Sequence, residues 1–345
     1  MKWKTLFCLL CVQPILLFGF QPLTSIKSDK TYRTLINSVF FHPNKNLFCV
    51  TFTHQQQVGL YQIEMDESVK LVQMLENPTA MFDLPQNAIF SPDGNHLVVV
   101  NWVTRDINIY PADSEGFFQN YPQSTIPFHL SECNYRPHGM CFSQDGAYLA
   151  VVFGSFEDCP WIVILYRVED LGSAHPRFIP CSSLEKNNNL QGVPKGVAFS
   201  PDQSSLVITF VKTNSLGIFP INWEESSINP VPLQEISGPA TQLCRPEDIA
   251  FSPDGDYCAV SNSSDNTVSF YYFDKLSNRF IGNVPFKIIG GEETPLFFPH
   301  GIGFSHDNKY FAITQFGYVE VDAKGYMTSW GDEGGERVSL FKVDE

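Results

Sequence analysis

The feature that most constrains this chain is a repeat of about fifty residues, clearest from Arg245 to Asn266, RPEDIAFSPDGDYCAVSNSSDN. It reads as strand, tight turn, strand and loop. In the Ser-Pro-Asp-Gly turn, Pro253 presets φ at the first central position, Asp254 can bond its own backbone, and Gly255 accepts positive φ. An apolar run ends at Phe251 before the turn, and a second run, Tyr257 to Ser261, follows it. Self-similarity at this period, built from short strands, means stacked or radially arranged units.

Six copies align on an aromatic landmark: Phe41, Phe90, Phe142, Phe199, Phe251 and Phe304, at intervals of 49, 52, 57, 52 and 53 residues. The turns read HPNK, SPDG, SQDG, SPDQ, SPDG and SHDN. Nine residues past each landmark lies an aliphatic: Val50, Val99, Val151, Ile208, Val260 and Ile313. Five residues before it stands a proline in five copies (Pro85, Pro137, Pro194, Pro246, Pro299) and Ile36 in the first. Proline there opens a strand without losing a needed hydrogen bond. A third strand ends on an aromatic at Tyr61, Tyr110, Tyr166, Phe219, Tyr271 and Phe341, and a fourth, less regular strand fills the remainder, for example Asn283 to Ile289.

Four antiparallel strands per fifty residues make a propeller blade, so the expected fold is all-β: a β-propeller of six four-stranded antiparallel blades, with seven less favoured. Small residues before the landmarks (Cys141, Ala198, Ala250, Gly303) are expected to let the innermost strands approach closely. The last unit ends four residues after Phe341 and lacks an outer strand, which the segment Ile26 to Leu35 is expected to supply, pairing Thr31 to Thr34.

The first twenty residues, MKWKTLFCLLCVQPILLFGF, have a basic head and a short apolar core interrupted by Gln13-Pro14, the form of a secretory leader. The expected organisation is a leader over 1–25, with Gly19 and Ser25 as candidate cleavage positions, and one propeller over 26–345. That implies a secreted or periplasmic protein with no membrane span after leader removal. Loss of Lys2 and Lys4 takes the net charge from −15 to −17. A surface this negative repels phosphate backbones and argues against nucleic acid as a partner.

Seven cysteines follow the leader. Cys49, Cys141 and Cys258 fall within expected strands, as small buried apolar residues. Cys133, Cys159, Cys181 and Cys244 fall in loops and can pair in an oxidising compartment. None sits in C-x-x-C spacing, so no metal site and no cofactor are expected. No G-x-S-x-G elbow, H-E-x-x-H or phosphate-binding glycine loop occurs.

The stretch RPEDIAFSPDGDYCAVSNSSDNTVSFYYFD resembles blades of the YVTN and lactonase-like propellers and, more distantly, WD-repeat proteins. The resemblance covers about residues 36–345 and lies in turn, strand and proline positions. The lactonase-like family usually has seven blades, whereas this chain shows six. In that family, His, Arg and Glu residues near the starts of inner strands are the implied catalytic groups. By motif position, the RPH of Arg136 to His138 and the RPE of Arg245 to Glu247 match.

Four residues before each landmark runs a set of side chains that all hydrogen-bond or titrate: Asn37, Gln86, His138, Lys195, Glu247 and His300. Arg136, Arg245 and Asp248 flank them. This ring is expected at one mouth of the central channel, where the loop cysteines and a long insertion in the sixth unit, Phe316 to Glu336, also belong. Tyr318, Tyr326, Trp330, Glu320, Asp322, Asp332 and Glu333 lie in that insertion, which reads as a lid, a partner-contact hairpin or a plain exposed extension.

Two functions fit. One is a secreted binding module that takes a protein or small polar ligand at the channel mouth, through the ring and the insertion. The other is a hydrolase of a sugar-acid lactone, with His138, Glu247, His300, Arg136 and Arg245 as acid, base and oxyanion-stabilising groups.

Overall fold

The computed structural model describes residues 19–27, 35–128, 135–155, 161–173, 175–185, 192–291, 294–317, 319–321, 327–330 and 336–343. They form six antiparallel sheets of propeller type. The innermost strands are Ile36–Phe41, Pro85–Phe90, Tyr135–Phe142, Pro194–Phe199, Pro246–Phe251 and Pro299–Phe304, defining blades one to six. Each inner strand lies beside the next in chain order, and the sixth lies beside the first. In blades four and five the outer edge is broken into two short pieces, Ser227–Ile228 with Gln234–Ser237 and Arg279–Phe280 with Lys287–Gly290. The one helix among the described residues is the 3-10 turn Pro239–Thr241, and no described helix is long and apolar enough to cross a membrane.

The ring closes through the N-terminal segment. Phe20–Lys27 pairs with Glu336–Val343 as the outer strand of blade six, from Phe20 opposite Val343 to Lys27 opposite Arg337. The closing strand therefore starts upstream of the expected Ile26–Leu35 and overlaps it only at Ile26 and Lys27; Thr31 to Thr34 lie outside the described residues. The physical reason is apolar content. Phe20 packs 4.5 Å from Phe270 and 5.6 Å from Phe311, and Leu23 and Ile26 join the core between blades six and one, whereas SDKTYRT has little to bury. Residues 20–25, read from sequence as the end of a leader, are thus part of this sheet.

The core is not one mass but six slabs, each between neighbouring blades. Leu47, Cys49, Leu97 and Val99 fill the slab between one and two; Val98, Val151 and Phe153 fill that between two and three. Val163, Leu206 and Phe210 lie between three and four, and Val207, Ile218 and Tyr271 between four and five. Blades five and six enclose Phe270 and Phe311, and Val50, Ala312 and Leu340 complete the circle. Because both faces of each sheet are covered, the second strands of five blades are buried at every position, as in LVITF and LVVVN; in blade three Tyr148 is half-buried.

Five of the six turns share one lock. The Ser hydroxyl donates to the Asp two residues on, at 2.5 to 2.7 Å, in the turns beginning at Ser91, Ser143, Ser200, Ser252 and Ser305. The same Asp oxygen accepts a backbone N–H from the residue two further on (Asn95, Ala147, Ser204, Asp256 and Lys309). In blade one His42 replaces the serine, and its Nδ1 accepts the N–H of Asn44.

Candidate functional site

Every inner strand carries a register shift at its start: between Ile36 and Val39, Pro85 and Asn87, Pro137 and Met140, Pro194 and Val197, Pro246 and Ile249, and Pro299 and Ile302. A bulge leaves one or two residues out of the ladder and re-aims their side chains. In all six blades the residue after the strand-opening position, the ring residue, falls in the bulge. Asn37, Ser38, Gln86, Asn87, His138, Lys195, Glu247, Asp248 and His300 line one cavity, so the sequence-derived ring does converge at one mouth of the channel.

The backbone freed by the bulge is satisfied by a hydroxyl. Ten residues past the landmark, Thr51, Thr209, Ser261 and Thr314 accept the N–H of Ser38, Gly196, Asp248 and Gly301 respectively. Three of these hydroxyls also donate to the ring residue's carbonyl in the next blade: Thr209 to Glu247, Ser261 to His300 and Thr314 to Asn37. They staple neighbouring blades together at the mouth. The inner strands approach closely here, one residue beyond the ring, and more closely than at Gly303, the glycine among the small residues before the landmarks. A Cβ at Gly139, Gly196 or Gly301 would lie 2.5 to 2.7 Å from the next blade's backbone, against 3.4 Å at Gly303.

Within the ring the side chains are turned on one another, although Glu247 Oε2 is buried without a hydrogen-bond partner. Arg245 Nε donates to Glu247 Oε1 at 2.7 Å, and the Ser263 hydroxyl to the same oxygen at 3.2 Å. His300 Nε2 faces Glu247 Oε2 at 3.6 Å, while its Nδ1 lies 2.9 Å from the carbonyl of Asn37. The Lys195 ammonium sits 3.3 and 3.4 Å from the two nitrogens of His138. The Asn37 and Gln86 amides exchange long hydrogen bonds of 3.3 and 3.4 Å. The free space left among them is about 20 Å³, room for a single water.

The electrostatics follow from burial and from two cations. Burial opposes ionisation of Glu247, but Lys195, His300 and Arg245 outweigh it and hold the carboxyl at about 2. Asp248 has no such partner: burial raises it to about 7, although its oxygens accept the N–H groups of Ile249 and Ile302. Burial likewise drives both histidines to the neutral form, His300 to about 4 and His138 well below the ordinary imidazole range, with Lys195 adding to each shift. Glu247 is thus an anion at neutral pH, and Lys195 is pushed down by the same burial.

Arg136 does not join the site. Its guanidinium donates to the carbonyls of Trp102 and Val103 and lies 4.9 Å above the Trp102 ring. The reason is the residue two ahead: Arg245 finds a carboxylate in Glu247, whereas Arg136 would find neutral His138. Two residues that the ring reading did not weigh do take part, Ser263 on Glu247 and Thr53, which accepts from the Asn37 amide at 2.6 Å. The stapling hydroxyls had a sequence signal, Thr or Ser ten residues past the landmark in four units.

The sixth-unit insertion forms a two-stranded hairpin, Val319–Val321 with Met327–Trp330. Its root is at the ring: Phe316 stacks on His300 at 4.4 Å and on Phe298 at 5.7 Å. Tyr318, Asp322, Tyr326, Asp332 and Glu333 lie outside the described residues. Cys181 and Cys244 carry free thiols, as do Cys49, Cys141 and Cys258; Cys133 and Cys159 lie outside the described residues. Among the described residues no group of His, Cys, Asp and Glu has the arrangement of a metal site.

The family model described as "WD domain, G-beta repeat" matches residues 232–271, the outer strand of blade four and most of blade five. No curated protein sequence matches the chain. Among solved structures, the chain is similar to the periplasmic gluconolactonase PpgL of Pseudomonas aeruginosa, with a TM-score of 0.60 and 16% identity over 89% of this chain and 88% of that one. It is similar to a putative 6-phosphogluconolactonase from Bacteroides uniformis (TM-score 0.56, 12% identity, 84% and 82% covered). It is also similar to the β-propeller domain of Cps50 (Swd1) from Myceliophteria thermophila (TM-score 0.56, 11% identity, 94% and 100% covered). At these identities the likeness is one of fold: the chain is a β-propeller, and its structural neighbours include lactonases and a WD-type propeller domain.

Proposed function

We propose that this protein is an extracytoplasmic binding module whose ring face, with the hairpin rooted on Phe316, engages a protein partner. The observation that carries this reading is the closed mouth. Small-molecule sites typically offer about 300–1,000 Å³, whereas the ring side chains leave about 20 Å³ because they are turned on each other. His300 Nδ1 donates to the Asn37 carbonyl, which leaves the lone pair of Nε2 turned on Glu247 Oε2 at 3.6 Å and not toward an open pocket. In this reading Lys195, Arg245 and Glu247 seal the channel and fix the six blades in register. The rim and its hairpin are left as the recognition surface. The periplasmic location of one structural relative supports export, as does the leader-like N-terminus.

A lactone hydrolase is the second reading, favoured by Asp248, a carboxyl in the same cavity held at about 7, where acid–base exchange at neutral pH is most effective. Two measurements decide between them. Hydrolysis of glucono-δ-lactone at the buffer rate, together with capture of a partner by the full chain that is lost when residues 318–335 are deleted, supports the binding module. Turnover above the buffer rate that disappears in a folded Asp248→Asn variant overturns it in favour of the hydrolase.

A further inference from the structure

The opposite end of the inner strands carries a second, larger cavity that the ring does not use. An open pocket of about 490 Å³ lies between the turns of blades three and four, lined by Ser143, Gln144, Asp145, Tyr148, Gln203 and Trp223. Three of these residues are departures from the repeat. Gln144 stands where blades two, four and five have proline, Gln203 where blades two, three and five have glycine, and Trp223 where the corresponding positions are Met65, Ser114, Asp170 and Lys275.

The departures depend on one another. The backbone N–H of Gln144 donates to the Gln203 side-chain oxygen at 2.8 Å, a bond that a proline at 144 could not make. Gln203 holds φ at +61°, the left-handed region that glycine occupies in the sister turns at +72° to +74°. Asn308 holds the same turn position in blade six at +59°, so what sets Gln203 apart is its bond to Gln144. The Gln203 carbonyl accepts the indole N–H of Trp223 at 2.9 Å, which fixes that ring against Tyr148, with centroids 4.6 Å apart. Tyr148 is braced in turn by Ser226 through its hydroxyl at 2.9 Å.

The result is a rigid pair of aromatic faces, Trp223 remaining 36% exposed, set beside groups that hydrogen-bond in plane. Gln203 is spoken for, its amide nitrogen donating to the Ser200 carbonyl. Gln144 offers a primary amide to the pocket, and Asp145 a carboxylate whose Oδ1 is held by the Ser143 hydroxyl and the Ala147 N–H. No lining residue is cationic, so a phosphorylated or carboxylate ligand has nothing to pair with.

We propose that this pocket is a binding site for a neutral saccharide. The less polar face of a sugar ring would pack on Tyr148 and Trp223, and its hydroxyls would bond to the Gln144 amide and the Asp145 carboxylate. The cavity has the volume of a mono- or disaccharide site.

The test is calorimetric and fluorescence titration of the full chain with glucose, galactose, N-acetylglucosamine and cellobiose. The expected result is saturable binding of at least one sugar with a change in tryptophan emission. Binding should weaken about tenfold or more in Trp223→Ala, as for a central aromatic anchor. The double variant Gln144→Pro, Gln203→Gly restores the sister turns' own residues, so it is expected to unfold at or above the wild-type temperature and still lose binding. It decides the matter if Trp223→Ala does not fold. The proposal is overturned if no sugar binds at millimolar concentration, if the variants bind as well as wild type, or if a proline-rich peptide occupies the pocket and the sugars do not.

Discussion

At the residue scale, the stapling hydroxyls show how little chemistry holds the mouth together. Thr209 satisfies the Gly196 N–H and reaches the Glu247 carbonyl of the next blade. Valine has the same shape and neither capability. Thr209→Val is expected to lower unfolding free energy by about 1–3 kcal/mol, the range for a buried backbone group left without a partner, as read from urea denaturation. Gly301 makes the converse point. Its Cβ would meet Asn37 O at 2.6 Å and Ser38 Cα at 2.7 Å, both backbone-positioned atoms of blade one. Gly301→Ala should therefore cost about 1–3 kcal/mol through overpacking, although alanine is the most modest of side chains. A Gly301→Ala protein as stable as wild type would contradict the close approach. These sites were only partly legible in sequence. The ring positions stood out because all six are polar at one offset, but the bulge that aims them is a register property, visible only once strands pair. The diversion of Arg136 hinged on whether a carboxylate lies within reach.

At the element scale, the repeated hairpin was readable because local chemistry and global fold agree: Ser-x-Asp locks the turn, β-branched runs form the strands, and both faces are apolar. The closing strand lies earlier in the chain than its expected position because Phe20, the last residue of the N-terminal apolar run, also opens the strand, and an apolar residue at that junction can serve leader or sheet. Pairing with Glu336–Val343 and the burial of Phe20 separate the two. A chain starting at residue 28 leaves the strand Glu336–Val343 as an unpaired edge, and such edges template association. It is expected to elute as oligomers or aggregate in size-exclusion chromatography, whereas a chain starting at Phe20 should elute as a monomer. Where export removes a leader, cleavage after Gly19 keeps the strand and cleavage after Ser25 destroys it. N-terminal sequencing of the exported protein should therefore begin no later than Phe20.

At the scale of the whole molecule, buried titratable groups set a pH dependence with a definite sign. Burial lowers His42 to about 4, His300 to about 4, His96 below its ordinary value and His138 well below it. The unfolded chain protonates these imidazoles near 6.5 and the folded one does not, so the stability they allow is present above 6.5 and is lost as pH falls toward 4. Asp248 opposes this between its unfolded value and about 7, because its folded form binds the proton more tightly. Asp106, also raised by burial, opposes it as well; two carboxyls against four histidines leave the net slope positive, and below about 4.5 the loss of Glu247 ionisation adds to the decline. The midpoint of thermal unfolding is expected to fall steadily from pH 6.5 to pH 4. A flat profile over that window would contradict the burial of the histidines. In Asp248→Asn the fall should be steeper, since the opposing proton uptake is gone.

The seam in blade six has a bearing on how the molecule is made. Its four strands come from residues 20–27 and 299–343, so the two halves of that clasp leave the ribosome more than 270 residues apart. Until the second half emerges, blade one must wait with its flank uncovered and every earlier slab must hold without the tension of a finished circle. Ring closure therefore waits on Glu336–Val343, the last strand made, and is a pairing between the two most distant parts of the chain.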